Sequence, residues 1–77
     1  MQITIYTKPN CPNCVSAKTL LKSKGLEYYE FDIEKDFGAQ IWMQENPEKR
    51  QMPQIYIGEQ YVGGLAGLQA ALKQVGL

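Results

Sequence analysis

The chain begins with a short stretch in which apolar and polar residues alternate. Over residues 1–6 the isoleucines fall on one side, and this period of two predicts a strand that ends near Thr7. From Pro12 the apolar spacing becomes helical, until Gly25 supplies a C-terminal stop. The apolar stripe of this helix comprises Val15, Ala17, Leu20 and Leu21. The pattern therefore predicts a strand, a loop and a helix in succession.

The middle of the chain predicts a second strand and a second helix. Residues 28–33 are rich in aromatic and β-branched side chains, and a strand there should run parallel to the first because a crossover helix connects the two. Asp36 is expected to cap a helix that Asn46 and Pro47 end. The expected apolar face of that helix is formed by Phe37, Ile41 and Trp42. The aromatic residues expected in or near the core are Tyr6, Tyr29, Phe31, Phe37 and Trp42.

The last third of the chain predicts a β-hairpin and a third helix. Residues 54–57 and 60–62 are strand-like and flank a Gly-Glu turn. After a glycine pair at 63–64, apolar residues recur at helical spacing, namely Leu65, Leu68, Ala71, Leu72 and Val75. The order βαβαββα predicts an α/β fold with a four-stranded mixed sheet flanked by three helices. We expect residues 1–77 to form a single domain.

Composition restricts the classes of partner. Eight Lys and Arg residues balance eight Asp and Glu residues, so neither nucleic acid nor an anionic membrane is expected to bind. No stretch approaches the ~20 apolar residues of a membrane span, and the N-terminus lacks the features of a signal peptide. Nothing in the pattern indicates an obligate interface. We therefore expect a cytoplasmic monomer.

The chemistry of the sequence is concentrated in its two cysteines, Cys11 and Cys14. They are too close in sequence to add much stability as a cross-link, whereas C-x-x-C between a strand and a helix is typical of redox proteins. At a helix start, free backbone N–H groups and the helix dipole would stabilise a Cys11 thiolate, and Lys8 could add a cation. We predict that Cys11 is the nucleophile and that Cys14, one turn later, resolves the mixed disulfide.

Other interpretations of the pair fit the sequence less well. A zinc site needs four ligands and a cysteine protease needs a histidine base, but the chain has two cysteines and no histidine. We therefore expect no metal, while two structurally inert cysteines stay an alternative. Pro12 suits the first helical turn and leaves fewer amides to compete for the thiolate. Asn13, exposed between the cysteines, could contact substrate or solvent.

Three motifs in order resemble those of dithiol glutaredoxins. They are YTKPNCPNC at 6–14, MPQI at 52–55 and the glycine pair at 63–64. The resemblance covers essentially the whole chain, is similar in length to bacterial or bacteriophage members, and implies a thioredoxin fold. It implies a thiol-disulfide oxidoreductase that reduces protein disulfides and glutathione mixed disulfides. Glutathione would be a co-substrate that restores the enzyme, no cofactor would be tightly bound, and ribonucleotide reductase would be a candidate protein partner.

The resemblance also implies binding roles for individual residues. Pro53 matches a cis-proline position, beside which the Met52 backbone would pair with a substrate as an added strand. Lys8 and Gln40 match positions that meet the glycyl carboxylate of glutathione, and the glycine pair matches the region that receives its γ-glutamyl end. The implied substrate-binding residues are Lys8, Pro12, Asn13, Gln40, Gln51, Met52, Pro53, Gly63, Gly64 and Leu65.

The sequence departs from the family pattern at several positions. Ala66 and Gly67 replace a usual acidic pair that helps to bind the γ-glutamyl group, Asn13 replaces a tyrosine and Gln51 a threonine. Losing a charge-assisted hydrogen bond costs ~1.5–3 kcal/mol, so glutathione binding is expected to weaken roughly tenfold to a hundredfold.

Two other functions stay open for the chain. The missing acids favour a thioredoxin-like redoxin that thioredoxin reductase restores. In the second, two chains would bridge an iron-sulfur cluster through Cys11 and bound glutathione. Pro12 argues against this second function, since family members with this proline seldom hold clusters.

Overall fold

A computed structural model describes residues 2–76 of the chain. The helices and strands within them are β1 (Ile3–Thr7), α1 (Pro12–Ser23), β2 (Tyr29–Asp32), α2 (Phe37–Glu45), β3 (Gln54–Ile57), β4 (Gln60–Gly63) and α3 (Leu65–Gln74). The predicted order βαβαββα is confirmed; Met1, which the first predicted strand included, lies outside the described residues. None of the helices in this part of the chain is long and apolar enough to cross a membrane.

The four strands form one mixed sheet in the order β2-β1-β3-β4. β1 and β2 are parallel, while β1–β3 and β3–β4 are antiparallel, as the sequence predicts. Tyr6 near the end of β1 lies opposite Gln54 at the start of β3. The loop that follows β1 and the segment that precedes β3 are therefore neighbours, and this register brings the cysteines next to Met52 and Pro53.

One side of the sheet, which we call the aliphatic face, is covered by α1 and α3. Its fully buried residues are Ile3, Ile5 and Ile55 from the strands, Ala17 and Leu21 from α1, and Leu68 and Leu72 from α3. Burying an isoleucine or leucine side chain contributes about 1.5–3 kcal/mol relative to exposure, so this face is the main source of stability.

The opposite side of the sheet, which we call the aromatic face, carries one aromatic residue from each strand and is covered by α2. Its members are Phe31, Tyr6, Tyr56 and Tyr61, together with Trp42 of α2. Trp42 stacks on Tyr6 with ring centroids 4.1 Å apart. Burial raises the pKa of the Tyr6 phenol, and the nearby Tyr56 and Asp36 raise it further.

The predicted cap of α2 is confirmed, but the predicted apolar face is wrong for Phe37 and Ile41 and right for Trp42. Asp36 accepts a hydrogen bond from the Ala39 amide at 2.9 Å. Phe37 is 75% exposed and Ile41 41% exposed, whereas Ala39 is buried. The helix is rotated so that the small Ala39 faces the protein and Trp42 reaches the sheet. Helical spacing fits either stripe, and the stack of Trp42 on Tyr6 decides which one turns inward.

Three other residues that the sequence assigns to the interior are also exposed. Tyr29, at 60%, begins β2 at the edge of the sheet. Val15, at 59%, lies on the outer side of α1, and Val75, at 57%, follows the last turn of α3 as its C-cap. Tyr29 lies at the edge of the sheet and Val75 at the end of α3, whereas Val15 lines an open cleft that both cysteines also line.

Candidate active site

Cys11 is the N-cap of α1, as the sequence predicts. Its backbone is extended, its carbonyl accepts the first helical hydrogen bond from the Val15 amide at 3.2 Å, and Pro12 occupies the first turn. The Cys14 amide donates to the Cys11 Sγ at 3.2 Å. The sulfur therefore takes the place that a serine or aspartate oxygen usually has at a helix start, where amides and the helix dipole favour negative charge.

The two cysteines form a disulfide and differ in exposure. Cys11 is 8% exposed and Cys14 only 2%. An incoming thiolate therefore meets the Cys11 sulfur first, and Cys14 lies behind it in the helix. This is the order that the predicted roles of nucleophile and resolving thiol require.

Met52 and Pro53 lie beside Cys11. The Met52–Pro53 bond is cis, which agrees with the resemblance, and the Met52 carbonyl oxygen lies 3.5 Å from the Cys11 Sγ. Met52 packs with both cysteines in a small buried cluster, against which Tyr6, Ile33, Trp42 and Met43 also pack. The sulfurs are thus surrounded by apolar groups on the inner side and approachable from the outer side.

Two clefts open at the site, one lined by both cysteines and one lined by Met52 and Pro53. The first, which we call the lysine cleft, has a volume of about 740 Å³. It is lined by Thr7, Lys8, Pro9, Asn10, Cys11, Pro12, Cys14, Val15, Lys18, Glu30, Asp32 and Lys35. The second, which we call the amide groove, has a volume of about 490 Å³ and an uncharged lining. It is lined by Asn13, Gln51, Met52, Pro53, Gln54, Tyr61, Gly64, Leu65, Ala66 and Gln69.

The glycine pair lies at the far side of the amide groove. Gly63 has a φ of 93°, a left-handed conformation that favours glycine, and it ends β4. A Cβ at Gly64 would lie 3.4 Å from the Pro53 carbonyl oxygen, so the pair packs close to the cis-proline segment. Gly64 caps α3 without a side-chain hydrogen bond, and the first turn of α3 contains no acidic residue.

The structure brings most of the implied binding residues to one of the two clefts but leaves Gln40 apart. Gln40 lies on the exposed side of α2, where its amide donates to the Glu34 carbonyl at 3.3 Å. It lines neither cleft. Gly63 lines neither cleft itself and supports Gly64.

Sequence reasoning missed a polar cluster in the lysine cleft. Thr7 Oγ1 and Lys18 Nζ each donate to Glu30 Oε2 at 2.9 Å. Burial acts to raise the pKa of the Glu30 carboxyl, but the hydrogen bonds from Lys18 and Thr7 outweigh it, and the pKa is lowered overall. Glu30 belongs to β2. Its place on the α1 side of β2 becomes apparent only once the strand register is known.

Within residues 2–76, no group of three Cys, His, Asp or Glu side chains could hold a metal ion.

Comparisons with known proteins agree with this geometry. The glutaredoxin family model matches residues 3–62, a range that includes both cysteines, Met52 and Pro53. Glutaredoxin 3 of Escherichia coli is 37% identical over 75 residues, which are 97% of this chain and 90% of the relative.

Two solved structures are similar in fold and sequence. The solution structure of glutaredoxin from Brucella melitensis has a TM-score of 0.74 and 41% identity, and the match covers 99% of this chain and 82% of that one. The crystal structure of a thioredoxin-like protein has a TM-score of 0.78 and 33% identity, covering 95% and 97%.

Proposed function

The chain belongs to the glutaredoxin family and is a thiol-disulfide oxidoreductase, and we propose that it reduces protein disulfides and glutathione mixed disulfides with electrons from glutathione. The observation that carries this proposal is the position of the Cys11 sulfur. It lies at the N-cap of α1, 3.5 Å from the Met52 carbonyl oxygen. Cys11 itself lines the lysine cleft, and its neighbour Met52 lines the amide groove.

The proposed reaction moves two electrons from the reduced dithiol to the substrate. The Cys11 thiolate attacks one sulfur of the substrate disulfide, whose S–S bond breaks, and the leaving thiolate takes a proton. The Cys14 thiolate then attacks the Cys11 sulfur of the mixed disulfide. This step forms the Cys11–Cys14 bond and releases the second substrate thiol.

Glutathione would then restore the dithiol in two exchanges. A first glutathione thiolate attacks the sulfur of Cys11, the more exposed of the two residues, and Cys14 is released as a thiol. A second glutathione attacks the sulfur of the bound one, which frees Cys11 and yields oxidised glutathione. The product of the first exchange, which the second exchange consumes, is thus itself a glutathione mixed disulfide on Cys11.

The two clefts supply the proposed binding groups. Met52 would pair its backbone with the substrate as an added strand, next to Pro53. Lys8, which lines the lysine cleft, would bind the glycyl carboxylate of glutathione. Gly64 and the first amides of α3 would meet the γ-glutamyl carboxylate from the other side. We leave Gln40 out of this set because its amide is bonded to Glu34 away from both clefts.

The partners and the compartment follow from the same chemistry. We propose that the protein acts as a monomer in the cytoplasm, where a glutathione pool keeps thiols reduced. Its protein substrates would carry disulfides that need repeated reduction, and the active-site disulfide of ribonucleotide reductase is the candidate that the family resemblance supplies.

A second candidate function is that of a thioredoxin-like redoxin restored by thioredoxin reductase. The observation that favours it is the first turn of α3, where Ala66 and Gly67 offer no carboxylate to the γ-glutamyl ammonium group. The similarity to a thioredoxin-like protein across almost the whole chain points the same way.

One coupled assay separates the two candidates. Turnover of a small glutathione mixed disulfide is measured with glutathione and glutathione reductase, and in parallel with thioredoxin reductase alone. Cys11→Ser should abolish both activities. Cys14→Ser is the matched control, because it should keep turnover of the mixed disulfide with glutathione yet lose reduction of a protein disulfide. Turnover with thioredoxin reductase only would refute the proposal and establish the second candidate.

The start of α3 offers a sharper version of the same test. Ala66 is exposed, so Ala66→Asp adds a carboxylate to the amide groove without disturbing the core. We expect this change to lower the KM for the glutathione mixed disulfide by roughly tenfold, because it supplies a charge-assisted hydrogen bond. Ala66→Asn, of similar size but uncharged, should have a much smaller effect. An unchanged KM would mean that the γ-glutamyl group does not bind at α3.

A further inference from the structure

A chain of hydrogen bonds joins the edge strand β4 to the peptide that precedes Met52. Gln54, at the start of β3, is only 7% exposed, so its amide needs partners within the protein. Its Oε1 accepts a hydrogen bond from the Tyr61 hydroxyl, and its Nε2 donates to the Gln51 carbonyl oxygen at 2.5 Å. Tyr61 and Gln54 thus determine where the Gln51 carbonyl points.

The direction of this carbonyl matters because of its neighbour. The Gln51 carbonyl and the Met52 N–H belong to one planar trans peptide and point in opposite directions. When Gln54 holds the carbonyl, the Met52 N–H is directed away from Gln54. The carbonyl of Met52 itself lies 3.5 Å from the Cys11 Sγ. The N–H and the carbonyl of Met52 are the two groups that could pair with an added strand, and both are therefore oriented by the surrounding protein.

The outer end of the chain is itself anchored. Lys49 Nζ lies 4.9 Å from the centroid of the Tyr61 ring, a distance at which a cation attracts the ring face. The same ammonium group donates to Asn46 Oδ1 at 3.0 Å and Glu48 Oε1 at 3.1 Å. Lys49 thus holds the Tyr61 ring against the loop that leads to Met52.

From these contacts we infer that Tyr61 and Gln54 are positioning residues, which orient the Met52 peptide for pairing with the backbone of a disulfide-containing polypeptide. The inference rests on the proposed function, in which Met52 receives the substrate as an added strand. It assigns a role to Tyr61, which is 42% exposed on an edge strand and lies outside the buried cluster that contains the cysteines.

The test compares a substrate that has a peptide backbone with one that has none. The first is a disulfide-bonded peptide, the second bis(2-hydroxyethyl) disulfide. Fully reduced enzyme is mixed with each, and the second-order rate constant is measured from the thiols released. Both reactions need the Cys11 thiolate, but only the first can use strand pairing at Met52.

Tyr61→Phe keeps the ring for Lys49 and removes only the hydroxyl donor to Gln54. We expect the rate constant for the peptide to fall about threefold to tenfold, as the loss of one hydrogen bond predicts, while that for bis(2-hydroxyethyl) disulfide stays unchanged. Tyr29→Phe is the control, because it removes the hydroxyl of a tyrosine that is 60% exposed at the opposite edge of the sheet. It should change neither rate.

A second variant removes the middle of the chain. Gln54→Met keeps the length of the side chain but loses both hydrogen bonds. Its rate constant for the peptide should fall further than that of Tyr61→Phe, while its rate constant for bis(2-hydroxyethyl) disulfide should again stay unchanged. Equal losses with both substrates in Tyr61→Phe would overturn the inference, since the hydroxyl would then act on Cys11 or the whole fold. Unchanged rates with both would also overturn it. If the wild-type protein reacts with the peptide no faster than Cys11→Ser does, the proposed function itself fails.

Discussion

On the aliphatic face of the sheet, Ile3, Ile5 and Ile55 are closed off from solvent by two helices, whereas on the aromatic face Tyr6 and Tyr56 lie under α2 and stay partly exposed. The aliphatic side chains carry no polar atoms, so their burial needs no hydrogen-bond partners. The aromatic ones bring hydroxyl and ring N–H groups that must be bonded when they are buried.

The polar atoms of the aromatic face connect it to the active site. Trp42 Nε1 donates to the Tyr56 hydroxyl at 3.2 Å, and Tyr61 reaches Gln54 and through it the peptide before Met52. Trp42 and Tyr6 also pack against the cluster that contains both cysteines. This comparison indicates that the aliphatic face contributes most of the stability, whereas the aromatic face shapes the active site. Changes on the aliphatic face should alter the free energy of unfolding, and changes on the aromatic face should alter the reaction.

The largest effect is expected from truncating the centre of the aliphatic face. Ile55→Ala should lower the free energy of unfolding by about 2–5 kcal/mol, because Ile55 is fully buried and the change leaves a cavity. Urea unfolding of the oxidised protein measures the loss. Phe37→Ala, at a residue 75% exposed, should stay within about 0.5 kcal/mol of wild type. A loss below about 1 kcal/mol in Ile55→Ala would contradict the assignment of stability to this face.

A smaller loss is expected where α3 approaches β4. A Cβ at Gly67 would lie 1.7 Å from the Val62 carbonyl oxygen, so Gly67→Ala must push the helix outward and should destabilise the protein by about 1–3 kcal/mol. Helix propensity alone predicts the opposite sign, a gain of up to about 1 kcal/mol. The sign of the change in urea midpoint therefore shows whether the clash with Val62 or the helix propensity of alanine dominates. Ala66→Ser, exposed in the same turn, serves as the control.

The smallest loss of stability is expected on the aromatic face. Tyr6→Leu removes the stack with Trp42, which is worth about 0.5–1.5 kcal/mol beyond its buried area, but leaves an apolar side chain in place. Trp42 is the only tryptophan, so its fluorescence can be followed when the disulfide is reduced. The change in fluorescence should be smaller in Tyr6→Leu than in wild type, because the Trp42 ring would no longer be held against the cysteines. The rate at which each folded molecule reduces a substrate disulfide should fall further in Tyr6→Leu than in Ile55→Ala. Equal rates in the two variants would mean that the faces are not specialised.

Much of the fold could be predicted because its signals are local. Alternation and helical spacing predict each element, and the crossover and the hairpin determine which strands are parallel. The misplaced residues show the limit of this reasoning. Phe37 and Ile41 form a helical stripe as regular as the one that faces the protein, and only the contact of Trp42 with Tyr6, far away in sequence, selects the inner stripe.

The site divides in the same way between local and distant information. Cys11 and Cys14 follow from a motif at the start of a helix, and Met52 and Pro53 follow from the family resemblance. The hydrogen bonds from Tyr61 to Gln54 and from Gln54 to Gln51 depend on the register of the hairpin, which shifts by a bulge between Ile55 and Tyr56. Nothing in the sequence around Gln54 indicates a buried amide. The close approach at Gly67 is equally invisible, because it depends on where α3 settles.

The antiparallel pairing of β1 with β3 also determines when the protein becomes an enzyme. The pairing joins Ile3 to Ile57, so the two halves of the site come from distant parts of the chain. During synthesis at about 5–20 residues per second, the segment with both cysteines precedes β3 by on the order of a few seconds. In that interval the nascent chain carries a free dithiol that has no Met52 beside it and no selectivity for a polypeptide backbone. The pairing of Met52 with a substrate backbone therefore becomes possible only after β3 has joined β1 and brought Met52 beside the cysteines.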